Sequence, residues 1–423
     1  MGSSKFNAGR MLTMFSLIIA GEAIFTLPFH ITRYFRHTFV DVFDFSQTQL
    51  GTLQSTYGVI AMVAYIFGGP LADRFPARKL LAFALLVTGS TGFYLLKIPS
   101  YGEMQWIYAF WGMSTILPFW AALIRATREW GGHDKQGEAF GILDGGRGLI
   151  AAIMATLALF FFSRFFPAVG DATLEQKTAA LRSTIYLYTT VCFVAATFVW
   201  LFVPEPTPKE VSDRAAQRKQ GHLLQVLRMP TVWLQAFIII GAYCVYKGGD
   251  FYSQFARDVW GWSDVHAARI SALSVWVRPV AAIGAGLIAD RITSSRVIIG
   301  CFVLTALTYI SFIATPPNES MAWLFWANVL ATCTGMFALR GIYYALLEES
   351  SIPPIMTGTA VGVIAFIGYT PEIFIPLLGG ALIDHWNGQL TGYQVLFAFL
   401  CLVSIASILA TLLLRKMNRL SLQ

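Results

Sequence analysis

Charged residues are scarce in this sequence: Asp, Glu, Lys and Arg make up 13% of its 423 residues, about half the share of an average soluble domain. That scarcity, beside a mean hydropathy of +0.61, excludes an ordinary water-soluble fold. Cysteine is also sparse. Cys192, Cys244, Cys301, Cys333 and Cys401 fall inside apolar stretches at unrelated spacings, which excludes a disulfide framework and a cysteine-based metal pattern. The Walker spacing with its Lys-Ser/Thr is absent, as are HExxH and GxSxG, so ATP hydrolysis and the common hydrolytic chemistries have no motif to stand on. No catalytic residue, metal ligand or cofactor is expected.

What the chain has in quantity is aromatic and aliphatic side chains. Its 34 Phe, 16 Tyr and 12 Trp exclude disorder and coiled coil, both poor in aromatics. A hydrocarbon core of about 30 Å takes roughly 20 apolar residues per helical crossing. Twelve such runs are present, centred near residues 20, 58, 88, 115, 150, 193, 240, 277, 305, 333, 369 and 402. The spacing predicts an all-α membrane protein of twelve transmembrane helices. The first run contains Glu22 and no small-residue cleavage site, so it is expected to remain as a span. A net charge of +7 reads as topology, not nucleic-acid binding. The densest basic cluster, Lys209, Arg214, Arg218, Lys219 and Arg228, lies in the one long polar connection, 204–230. The positive-inside rule puts that connection, and with it both termini, in the cytoplasm.

The connection divides the chain into 1–203 and 231–423, and the halves repeat. GGPLADRFPARK (68–79) lies on GAGLIADRITSSR (284–296) with Asp73 over Asp290 and Arg74 over Arg291. Met104 on Met321 superposes the fourth and tenth runs, and Gly137 on Gly358 brings Ala139 onto Ala360 and Gly141 onto Gly362. A carboxylate followed by arginines at a helix end can latch onto a neighbouring helix terminus in one state only. Asp73, Arg74, Arg78, Asp290 and Arg291 are therefore gate candidates; the basic residues among them would equally anchor helix ends at anionic headgroups.

GGPLADRFPARK resembles the signature loop of the major facilitator superfamily, with Pro76 where a glycine is usual. The resemblance implies two pseudo-symmetric six-helix bundles, a central solute path and alternating access. GAYCVYKGGDFYSQF and WGMSTILPFWAALIRATREW are similar to the organophosphate:phosphate antiporter branch, which implies an anion contact at about the position of Lys247. The branch's arginine in the first helix is not matched; LPFHITRYF places His30 and Arg33 there instead.

Charged residues inside the runs cost about 2.5–3.5 kcal/mol each at a helix centre, so they are expected to face a partner or a polar path. They are Glu22, Arg125, Asp144, Arg147, Lys247, Asp250, Arg278, Arg340 and Glu372. Helical spacing sets Glu22, Thr26, His30 and Arg33 on one stripe, Tyr243, Lys247, Asp250 and Gln254 on another, and Ser271, Ser274 and Arg278 on a third. Asp144 with Arg147, and Lys247 with Asp250, are i, i+3 pairs that could simply neutralise each other. Arg125 and Arg340 near helix ends can snorkel.

Setting the two pairs aside leaves a cationic surplus, which points to a solute bearing carboxylate, phosphate or sulfonate. Lys247, Arg278, His30, Arg33, Tyr57, Asp250, Trp276 and Tyr369 are the substrate-binding candidates. Glu22, Glu372 and Asp144 are the carboxylates that could carry a coupling proton. The expected function is a secondary active transporter for a small, anionic organic solute, driven by protons or by exchange for a counter-anion, and monomeric in a bacterial inner membrane. A neutral or zwitterionic solute held by aromatics, and a channel or transceptor role, are the alternatives. KGGD (247–250) superficially resembles the GxGD of intramembrane aspartyl proteases, but Lys247 occupies the first glycine's place and no Tyr-Asp partner follows.

Overall fold

The computed structural model describes residues 8–132, 136–167, 171–205, 223–349, 352 and 357–421. The linker cations Lys209, Arg214, Arg218 and Lys219 lie outside the described residues. Every regular element among those described is helical. Ten spans are long and apolar enough to cross a membrane: α1 (Ala8–Tyr34), α2 (Gln47–Ala72), α5 (Ala139–Ser163), α6 (Leu174–Phe202), α7 (Pro230–Asp258), α8 (Asp264–Ile292), α9 (Ser294–Ala314), α10 (Glu319–Ala345), α11 (Ala360–His385) and α12 (Leu390–Asn418). Two more complete the twelve. They are α3 (Ala77–Leu95) and α4, which runs Tyr101–Ser114 and resumes as Trp120–Gly131.

Several spans lose regular α geometry midway, and the sequence gives the reason. Pro28 cannot donate to the carbonyl four residues back; α1 widens into a π-helical turn over Thr26–His30, where the Thr26 hydroxyl donates to the Ala23 carbonyl at 2.7 Å. In α7 a 3-10 turn at Gly249–Phe251 follows Gly248. Pro279 forces the same adjustment in α8, where the Arg278 N–H donates to the Val275 carbonyl at 3.0 Å. The α11 helix restarts with Pro371 in its first turn after a turn at Tyr369 and Thr370.

The chain forms two compact units, 1–44 with 56–219 and 45–55 with 220–423. The N-terminal end of α2 therefore groups with the second unit. There Asp384 accepts from the Gln47 N–H at 3.0 Å and the Thr48 N–H at 2.6 Å, capping the start of α2. In the first unit α1 packs on α5 and α6, and α3 on α6; in the second α7 packs on α11 and α12, and α9 on α12. The pairings repeat with a shift of six helices, as the duplicated sequence requires.

Within each unit the apolar core is supplemented by short interhelical hydroxyl bonds, such as Thr88–Ser114 and Thr332–Thr308, both 2.8 Å. In lipid such bonds contribute about 0.6 kcal/mol each. Trp106, Val280, Leu402, Leu201 and Ile66 are at least 60% exposed, a surface that suits hydrocarbon and would drive aggregation in water.

Small residues let the helices approach. A Cβ on Gly112 of α4 would stand 2.5 Å from the Tyr57 carbonyl oxygen and 3.1 Å from the Ala61 nitrogen of α2, backbone atoms that cannot rotate aside. Gly112→Ala is expected to destabilise the protein by about 1–3 kcal/mol, read as a lower melting temperature of the purified full chain. Gly102→Ala, with nothing within 4 Å of the new methyl, is expected to leave that temperature undiminished.

Candidate functional site

Seven of the nine intramembrane charges gather into one cluster in each unit; Arg125 instead donates to the Phe75 carbonyl at 2.9 Å and lies 3.4 Å from Glu129. In the second unit the first segment of α7 ends at Gly248 with Lys247 in its last turn, and Glu372 occupies the first turn of the α11 segment that starts at Pro371. A cation at a helix C-terminus and an anion at a helix N-terminus are each favoured by the peptide dipoles. The Lys247 ammonium donates to Glu372 Oε1 at 3.0 Å and lies 2.8 Å from Asp250 Oδ2. Tyr243, one turn earlier, donates to Glu372 Oε2 at 2.9 Å. Lys247 is 1% exposed, Asp250 3% and Glu372 9%. One buried ammonium thus faces two carboxylates.

The cluster continues into aromatic groups. The Tyr243 ring lies 5.0 Å from that of Tyr369, whose hydroxyl is 3.0 Å from the Tyr344 hydroxyl and 3.3 Å from that of Tyr343. The Arg340 guanidinium sits over the Tyr246 ring at 3.9 Å and the Tyr243 ring at 5.6 Å, within cation–π range.

The first unit inverts the arrangement. Glu22, 4% exposed, stands at the end of the Ala8–Ala23 segment, where the helix dipole does not favour an acid. Two bases compensate. Arg147 of α5 approaches Glu22 Oε2 at 3.4 Å and donates to the Gly21 carbonyl at 3.0 Å; His30 Nε2 is 3.3 Å from Glu22 Oε1. His30 reaches back to Glu22 across the π-helical turn of α1. Asp144 adds a longer contact to Arg147, 3.7 Å, from a half-exposed position. Tyr34 and Tyr188 ring the imidazole.

The other sequence-predicted residues occupy the following positions. Tyr57 is buried, shares a 2.8 Å hydrogen bond with Thr115 and packs edge-on to Phe29 in the first unit. Arg33 is half-buried near the end of α1. Arg278 is half-buried where α8 restarts, beside the exposed Trp276. Among the gate candidates, Arg78 is 3.7 Å from Glu205, donates to the Trp200 carbonyl and covers the Trp200 ring. Arg74, Asp290 and Arg291 are exposed at helix ends; the Asp73 side chain lies outside the described residues.

Spacing along single helices exposed the Asp144–Arg147 and Lys247–Asp250 pairs. It did not show that Arg147 also holds Glu22, that Lys247 also holds Glu372, or that Arg340 turns onto tyrosines instead of snorkelling. The signal that could have found the last is the recurrence of a phenol three or four residues from a charge on α7, α10 and α11.

Comparison with known proteins assigns this helical arrangement to a family. The model of the Major Facilitator Superfamily matches residues 8–371. The chain is 27% identical over 392 residues to Inner membrane protein YqcE of Escherichia coli, covering 90% of this chain and 88% of that one. It is 24% identical over 372 residues to the Probable nitrate/nitrite transporter NarK2 of Mycobacterium tuberculosis, covering 85% and 86%. Its fold is that of the crystal structure of nucleoside transporter NupG, with a TM-score of 0.67 at 14% identity, covering 96% of this chain and 98% of that one. The chain belongs to the Major Facilitator Superfamily: it is a multi-pass membrane transporter of twelve helices, not an enzyme.

Proposed function

We propose that this protein is a secondary active transporter that moves a small organic anion by alternating access, with Lys247 as its principal anion contact. The observation that carries the reading is the position of the Lys247 ammonium between Asp250 and Glu372, 2.8 and 3.0 Å away on a broken helix and its neighbour. An anionic group of the solute can replace one of those carboxylates without leaving the ammonium unpaired. Charge counting then favours a proton as the companion. With Arg340 over the Tyr243 ring, the two cations and two carboxylates of the cluster sum to zero; an anion entering alone would leave an uncompensated charge in a buried site, which costs several kcal/mol. A proton taken by Glu372 as the anion arrives restores the original sum. The name of the nitrate/nitrite relative supports an anionic cargo.

Glu22 and, from its half-exposed position, Asp144 are proposed to assist coupling in the first unit, with His30 as partner. Arg278, Trp276 and Tyr369 of the second unit, and separately Arg33 and Tyr57 of the first, are also proposed to contact the solute. Asp73, Arg74, Arg78, Asp290 and Arg291 are proposed as gate residues. The proposed setting is a bacterial inner membrane, as the name of YqcE suggests, with a monomer whose termini are both cytoplasmic.

Reconstitution of the full chain in proteoliposomes tests the reading. Counterflow of acetate, succinate or D-glucuronate is expected to exceed that of neutral glucose, and Lys247→Gln to weaken the preferred anion by at least about tenfold, roughly 1.4 kcal/mol. Equal transport by Lys247→Gln would remove the anion assignment.

For coupling, Glu372→Gln is expected to retain counterflow while losing accumulation driven by an imposed pH gradient, with Glu22→Gln impaired in the same direction. If both variants accumulate solute as the wild type does, these carboxylates do not couple. For the gate, Asp73→Asn and Arg74→Gln are expected to slow transport several-fold while equilibrium binding stays unchanged; unaltered rates would assign these residues to the membrane surface.

A further inference from the structure

Three spans of the second unit repeat one local arrangement. On α7, Tyr243 precedes Lys247; on α10, Arg340 precedes Tyr343 and Tyr344; on α11, Tyr369 precedes Glu372. Every interval is three or four residues, so each helix shows a charge and a phenol on one face, one turn apart. The contacts join the three faces into a single array. Tyr369 meets Tyr344 and Tyr343 by hydroxyl, Tyr243 by ring, and Tyr243 in turn donates to Glu372. Tyr343 is buried; Tyr243, Tyr344 and Tyr369 are half-buried.

Packing alone does not account for phenols at these positions. Phenylalanine would fill nearly the same space without the cost of taking a hydroxyl out of water. A phenol is both donor and acceptor, so hydroxyls that bond to one another can exchange those bonds for bonds to a ligand's hydroxyls with no net loss. The cations a helical turn away, about 5 Å along the axis, suit an acid group on the same small molecule.

We infer that the array on α7, α10 and α11 binds a polyhydroxylated organic acid of sugar size, its acid group at Lys247 and its hydroxyls at Tyr369, Tyr343 and Tyr344. This rests on the reading of Lys247 as the anion contact and specifies the rest of the molecule. Aromatic acids and simple short-chain acids satisfy the charge and leave the phenols unused; neutral sugars use the phenols and leave the ammonium unused.

Ligand titration of the purified full-length protein in lipid nanodiscs, read by thermal stabilisation, separates these classes. The probes are D-glucuronate, D-gluconate, D-glucose, benzoate and acetate. D-glucuronate or D-gluconate is expected to bind at least about tenfold more tightly than any of the other three. Tyr369→Phe and Tyr344→Phe are each expected to weaken the hydroxylated acid about tenfold and to leave the benzoate and acetate responses unchanged. Tyr186→Phe, exposed on α6, is the control and leaves all five unchanged. Benzoate or acetate binding as tightly as the hydroxylated acids, the absence of binding by either hydroxylated acid, or neutrality of both tyrosine variants overturns the inference. If benzoate or acetate still binds and needs Lys247, the anion-carrier reading survives. Glucose binding best, with Lys247→Gln indifferent, overturns both.

Discussion

The contact between Lys247 and Glu372 constrains how α7 and α11 meet in the second unit. Taking an ammonium and a carboxylate out of water costs several kcal/mol for each ion, and only close mutual pairing recovers it. Once α7 carries the lysine at bilayer depth, α11 must lie beside it with the glutamate at the same level. The local backbone conforms to that demand. Lys247 falls in the last turn of one helical segment and Glu372 in the first turn of another, so peptide dipoles support both charges before the side chains meet. Gly248 and Pro371, which allow those segments to end and begin, are part of the same solution.

The duplicated halves solve one problem with opposite signs. In the first unit a glutamate on α1 is held by an arginine on α5; in the second a lysine on α7 is held by a glutamate on α11. The helix pairing is the same and the charges are exchanged. The first cluster sets one central carboxylate between two bases, the second sets one central base between two carboxylates.

Broken helices accompany these sites. The π-helical turn of α1 lies between Glu22 and His30, the 3-10 turn of α7 follows Lys247, that of α10 begins at Tyr343, and the α11 turn at Tyr369 precedes Glu372. Irregular backbone at membrane depth survives only where protein or a polar path satisfies it. The side-chain clusters and the irregular backbone are thus a single local solution to placing polarity inside lipid.

Much of the architecture was legible in the residues. The twelve apolar runs and the two copies of the Asp-Arg loop specify where helices lie, because hydrophobic length acts locally. The Lys247–Asp250 and Asp144–Arg147 pairs were readable for the same reason, each lying within one helical turn. Tertiary structure alone decided which charge answers which across the chain: Glu22 with Arg147, Lys247 with Glu372 some 125 residues away, Arg340 with Tyr246, and Tyr57 with Thr115. Spacing along one helix fixes the face a side chain occupies but carries no information about its neighbour, and in lipid that neighbour is set by packing and charge pairing between helices, not by apolar patterning.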